Sequence, residues 1–148
     1  MSDGLPDALA SRLGYLLKHA QQQLAEAAAP VMAPFGIDGR ELAVLTVLAA
    51  RAPLSQQEAA EELGVDRTTM VALVDALEAK GLVERHRSPQ DRRKNFVVLT
   101  PGGQDCLRDA GQARDEVERE FLGPLGDTLS RQFVRALQIL ASHSDKIS

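Results

Sequence analysis

The chain has 148 residues, 44% hydrophobic and 26% charged, with a formal net charge of -4, the balance of one ordinary soluble globular domain. A single cysteine, Cys106, excludes an internal disulfide framework and fits a reducing cytoplasm. No apolar run reaches the roughly 18 residues a membrane span needs, and the N-terminus lacks the basic start of a signal peptide, so a cytoplasmic protein without a membrane partner is expected.

Aromatic residues are only 3% while Ala and Leu dominate, which favours packed helices over a β-sandwich. Residues 7–29 place Leu9, Leu13, Leu16, Leu17, Ala20, Leu24 and Ala27 at steps of three and four. A long amphipathic helix is expected there, ended by Pro30 and the turn signals of "APFGIDG". Asp38 can cap a second helix through about residue 50, with Leu42, Leu45 and Leu48 facing inward. "SQQE" at 55–58 is a capping box, and its short helix stops at Gly64. Asp66 caps the next helix, which carries Met70, Leu73, Val74 and Leu77 on one face and ends at Gly81. The period then changes to alternation: residues 82–86 and 95–100 read as two strands, joined by "RSPQDRRK" as a hairpin tip. Thr100 and Pro101 begin another helix, with Leu107, Ala110, Arg114, Val117 and Phe121 along one side. "GPLGD" at 123–127 interrupts it, and a last helix presents Leu129, Phe133, Leu137 and Leu140.

Charge is unevenly spread. Residues 67–94 hold seven Lys and Arg against four acids, a basic patch on an acidic body. Such a patch suits a polyanion met by one face only. It coincides with a helix, tight turn, helix and hairpin, the order of a winged helix-turn-helix, in which the second helix enters the major groove and the basic hairpin reaches a minor groove. Arg67, Thr68 and Thr69 open the candidate recognition helix, where small polar groups and the helix dipole suit bases and phosphates, although Asp66 and Thr69 also fit a purely structural cap. The basic stretch adds Arg85, Arg92, Arg93 and Lys94 as candidate DNA contacts. The expected fold class is mainly α with a small β-hairpin wing.

"LGVDRTTMVALVDALEAKGLVERHRSPQDRRKNFVVLT", residues 63–100, closely resembles the recognition helix and wing of the multiple-antibiotic-resistance repressor (MarR) family. The specific elements are Asp91, Arg92 and Arg93 followed by "VVLT", together with L-x-x-K-G-L-V-x-R from Leu77 to Arg85. The resemblance extends over the whole chain. It implies a homodimeric transcriptional regulator on a pseudo-palindromic DNA operator, with residues 1–30 and 101–148 as dimerisation helices and 38–100 as the DNA-binding lobe. It also places Arg93 in a minor groove, with Asp91 steadying the wing through an ion pair. The residues agree on assembly: the end helices carry more apolar surface than a lobe of this size can cover, and a second copy would bury it.

An enzyme is not expected. His19, His86 and His143 stand on separate segments without zinc spacing, no glycine-rich phosphate loop is present, and neither metal nor cofactor is implied. The family's peroxide sensors carry a reactive cysteine early in the first helix; "SRLGYLLKHA" has none, so Cys106 reads as a small packing residue. Two readings stay open. In one, the protein represses nearby genes and is released by a small aromatic or phenolic effector, as family members commonly are, with Tyr15 and His19 as candidate lining residues. In the other, it is a winged-helix DNA-binding or protein-interaction module with no effector, and Tyr15 and His19 are ordinary packing residues.

Overall fold

The computed structural model describes residues 7–91 and 93–142; Arg92, His143 and the extreme N-terminus lie outside them. Six α-helices and a small sheet follow in the order α1 (Leu13–Met32), α2 (Gly39–Arg51), β1 (Leu54–Ser55), α3 (Gln56–Leu63), α4 (Arg67–Ala79), β2 (Val83–Arg87), β3 (Asn95–Leu99), α5 (Pro101–Leu122) and α6 (Gly126–Ser142). The sheet is antiparallel in the order β1-β3-β2, with Leu54 opposite Val97 and Val83 opposite Leu99.

Local chemistry starts each helix of the central lobe. Asp38 accepts the Glu41 N–H at 2.9 Å and Glu41 accepts the Asp38 N–H at 3.1 Å; Ser55 and Glu58 form the same reciprocal pair at 3.0 and 3.1 Å. Asp66 accepts the Thr69 N–H at 2.6 Å and Thr100 the Gly103 N–H at 3.0 Å. Each such cap stabilises its helix by about 1 kcal/mol. Hydrogen bonds from the Ser55 backbone and hydroxyl hold the Glu58 carboxyl below its ordinary range, and the Thr69 backbone, then its side chain, does the same for Asp66. The sign follows: these caps are fully present at neutral pH and are lost only as pH falls through the depressed values. Gly64 ends α3 at φ +66°, and Gly81 turns the chain from α4 into β2 at φ +75°.

The core gathers Val44, Leu45 and Leu48 of α2, Met70, Val74 and Leu77 of α4, and Val83 and Val97 of the sheet, closed by Ala28 and Met32 of α1 and Ala110 and Val117 of α5. Each fully buried leucine is worth roughly 1.5–3 kcal/mol. One charge is buried with them. The Glu41 carboxylate, only 6% exposed as a residue, takes the Lys80 ammonium at 2.6 Å while capping α2, so it ties the start of α2 to the end of α4. A carboxylate so placed needs such a partner.

Three expectations change. Pro30 does not end the first helix, which runs to Met32 with Pro30 in its last turn. The missing proline N–H removes one bond near the helix end, while burial of Ala28 and Met32 against α5 rewards its continuation. The stop comes from a 3-10 turn at Ala33–Phe35 and Gly36 at φ +71°. At the other end, residues 7–11 form turns, so Leu9 is not on the helical stripe. Finally β1 adds a third strand, too short to show alternation in sequence.

The end helices leave apolar surface uncovered. Among the described residues, α6 has no buried residue, and Leu129, Leu137, Ile139 and Leu140 are 50%, 37%, 44% and 61% exposed. Leu13 and Leu17 of α1 are 66% and 42% exposed.

Candidate nucleic-acid interface

The hairpin is organised by backbone bonds at its tip. The Ser88 hydroxyl, in a buried residue, accepts the Gln90 and Asp91 N–H groups, both at 3.2 Å, and the Ser88 N–H donates to the Lys94 carbonyl at 3.0 Å. Asp91 accepts the Arg93 N–H on its carboxylate and the Lys94 N–H on its carbonyl, each at 3.0 Å. Asp91 therefore fixes the turn through the backbone; no ion pair to it is found among the described residues. The Arg93 and Lys94 side chains are left exposed.

This turn brings distant cations together. Arg67, the first residue of α4, shares a cleft of about 400 Å³ with Arg93 and Lys94 of the wing, and α3 closes the other side with Gln57, Glu58 and Glu61. Arg67 and Thr68 are exposed at the start of α4; Thr69 is half-buried, with its N–H occupied by the Asp66 cap. Cations from the recognition helix and the wing thus face solvent from one surface, the geometry needed to follow a phosphate backbone while a helix N-terminus meets base edges.

Arg85 does not belong to that surface. Its side chain is 20% exposed and is held by Asp75 at 2.7 Å, Glu78 at 2.8 Å and Gln56 at 2.9 Å. Strand parity explains this placement. Arg85 points to the same face as the buried Val83, and its partner across the ladder is the buried Val97. That face packs against α4. Arg85 is a clamp between the wing, α3 and the recognition helix, and the alternation "V-E-R-H-R" carried that signal in the sequence. Arg85→Ala should accordingly lower DNA affinity about tenfold by loosening the wing, yet leave the salt dependence of binding unchanged, because no phosphate contact is lost. A salt titration in which the slope falls by about one per removed contact would return Arg85 to the DNA surface.

Tyr15 and His19 stack on one another, ring centroids 5.7 Å apart and 19° from parallel, in the first half of α1. They do not line the cavity formed further along α1. That cavity, about 630 Å³, lies against the start of α2 and the middle of α5. Its wall includes Leu24, Ala28, Met32 and Ile37, with Arg40 and Arg114 as cations, and the Arg114 guanidinium is bonded to Glu118 at 3.0 Å. No sequence motif pointed to it, since alanines and two arginines as distant in sequence as Arg40 and Arg114 make no local pattern. Burial pushes the Cys106 thiol up, as suits a packing residue.

A helix-turn-helix with a capped, cation-bearing recognition helix and a basic hairpin wing defines a winged helix-turn-helix DNA-binding protein. The MarR family model matches residues 35–94. The chain is 32% identical to the putative transcriptional regulatory protein for hcr operon of Thauera aromatica, covering 80% of this chain and 72% of that protein. Among solved structures, the transcriptional repressor CouR bound to a 23-mer DNA duplex is 32% identical with a TM-score of 0.83, covering 92% of this chain and 96% of CouR. CouR from Rhodococcus jostii RHA1 bound to p-coumaroyl-CoA, at 30% identity and the same coverage, has a TM-score of 0.78. This chain belongs to the MarR family of DNA-binding transcriptional regulators.

Proposed function

We propose that the protein is a cytoplasmic homodimeric repressor of nearby genes that binds a pseudo-palindromic operator and is released by a small aromatic or phenolic ligand. The observation that carries assembly is the apolar face of α6 and the start of α1, uncovered within one chain. A two-fold partner laid along it would bury that face and present two recognition helices about one DNA turn apart. In that assembly Arg67 and Thr68, with the backbone around Thr69, meet the major groove, and Arg93 and Lys94, with Arg92 between Asp91 and Arg93 in sequence, serve the wing.

The effector reading rests on the 630 Å³ cavity and on the likeness to a repressor seen with both DNA and p-coumaroyl-CoA. The cavity joins the end helices α1 and α5 to the first turn of α2, and Glu41 in that turn is bonded to Lys80 at the end of the recognition helix. A ligand wedged there, with an acidic or phenolic oxygen on Arg114 or Arg40, would favour one lobe spacing over another. A preference of about 3 kcal/mol would weaken operator binding roughly a hundredfold. The test is a thermal-shift screen of p-coumaroyl-CoA, p-coumarate and substituted benzoates, followed by DNA-release titrations. Release by a stabilising compound, lost in Arg114→Ala, is the expected result. Stabilising compounds that leave the DNA complex intact would mean a regulator without this effector control.

A further inference from the structure

We propose that Glu61 limits the affinity of this protein for DNA by placing an unpaired carboxylate inside the cationic cleft, making it a determinant of how weakly random sequence is held. The two acids of the α3 wall differ. Glu58 is occupied: it accepts the Ser55 N–H in the capping box and stands at the N-terminus of α3, where the helix dipole favours a negative charge. Glu61 is one turn further on, in the second half of an eight-residue helix, where the dipole opposes it. Its side chain is exposed and makes no hydrogen bond or ion pair among the described residues, whereas its neighbour Glu62 is bonded to Arg51 at 3.3 Å. Glu61 therefore adds nothing to the fold that a neutral residue would not. What it does share is the cleft with Arg67, Arg93 and Lys94, none of which makes an ion pair among the described residues, with Glu61 or any other acid.

The consequence is electrostatic. Phosphates drawn to Arg67, Arg93 and Lys94 would meet the cleft that Glu61 also lines, and like charges closer than a Debye length, ~8 Å at physiological salt, repel with little screening. Binding to random sequence is driven almost wholly by phosphate attraction, so it is the mode most exposed to this repulsion. Operator binding adds contacts to base edges, which Glu61 does not oppose.

The experiment measures binding of the full chain to a mixed-sequence duplex by fluorescence anisotropy at low and high salt, for the parent, Glu61→Gln and Glu120→Gln. Glu120 is an exposed acid on α5 outside the cleft, so its variant carries the same change in net charge. Glu61→Gln should bind random DNA about threefold to tenfold tighter than the parent at low salt, a gain that shrinks as salt rises, while Glu120→Gln stays close to the parent. Equal tightening by both variants would show a net-charge effect only and overturn the proposal. Weaker binding by Glu61→Gln would overturn it too, and would make the carboxylate a direct DNA contact. Neither result bears on the proposed effector or dimer, since no ligand and no operator enters the measurement.

Discussion

Arg93→Ala is expected to lower DNA affinity by at least tenfold and to flatten its salt dependence, with no change in thermal stability. The stability part follows from where the turn's bonds are made. Asp91 accepts the Arg93 backbone N–H, and the Ser88 bonds do not involve its side chain, so alanine keeps the wing closed. The affinity part follows from exposure and position: the guanidinium stands at the tip of a basic hairpin, sharing a cleft with Lys94 and Arg67, where a narrow minor groove offers the strongest negative potential. A lost contact of this kind is worth about 1–3 kcal/mol in each half-site, and the salt slope should fall by about one per contact. Asp91→Ala should weaken binding less and leave the slope alone, since it loosens the turn without removing a cation. Together with Arg85→Ala, the series separates residues that touch phosphate from residues that hold the wing.

Gly103→Ala is expected to destabilise the fold by about 3 kcal/mol or more, against the sign that helix propensity gives. Gly103 lies in the first turn of α5, and a Cβ there would collide with the backbone carbonyl of Leu82. The chain cannot easily give way. The same Leu82 carbonyl accepts the Thr100 N–H at 3.1 Å, and the Thr100 hydroxyl donates to the Gly81 carbonyl at 2.6 Å, so the start of α5 is bonded to the turn between α4 and β2. Gly111, on the same helix, has nothing within 4 Å of the position its Cβ would take. Gly111→Ala should therefore stabilise by roughly 0.5–1 kcal/mol. Urea melts of the two variants should move in opposite directions; a common direction would mean that α5 does not seat on Leu82 as described.

The local chemistry of this fold is written in the sequence more plainly than its tertiary sites. Asp38, Ser55, Asp66 and Thr100 each announce a helix start because a cap involves residues only two or three apart, and all four caps form. Gly64 and Gly81 are as legible, since both take positive φ. Pro30 misleads because its local penalty is outweighed by the packing of Ala28 and Met32, which no window of sequence displays. β1 is hidden because two residues show no period, and its pairing partner is forty positions away. The basic patch is legible as charge, but its division is not legible in composition: Arg93 and Lys94 make no ion pair among the described residues while Arg85 is held by Asp75 and Glu78, a distinction that strand parity carried. For the cavity, Tyr15 and His19 stand one helical turn apart on α1 and stack on each other, while the cavity wall is built further along from alanines, Leu24, Met32, Ile37, Arg40 and Arg114.

The proposed dimer presents two recognition helices and two wings to one DNA duplex in two-fold symmetry. In vitro selection of bound sequences from a random duplex pool tests it most directly. The expected result is an enriched inverted repeat with half-site centres about one helical turn, roughly 10–10.5 bp, apart, flanked by narrow-groove positions under the wings. Enrichment of a single undivided site without two-fold symmetry would contradict it.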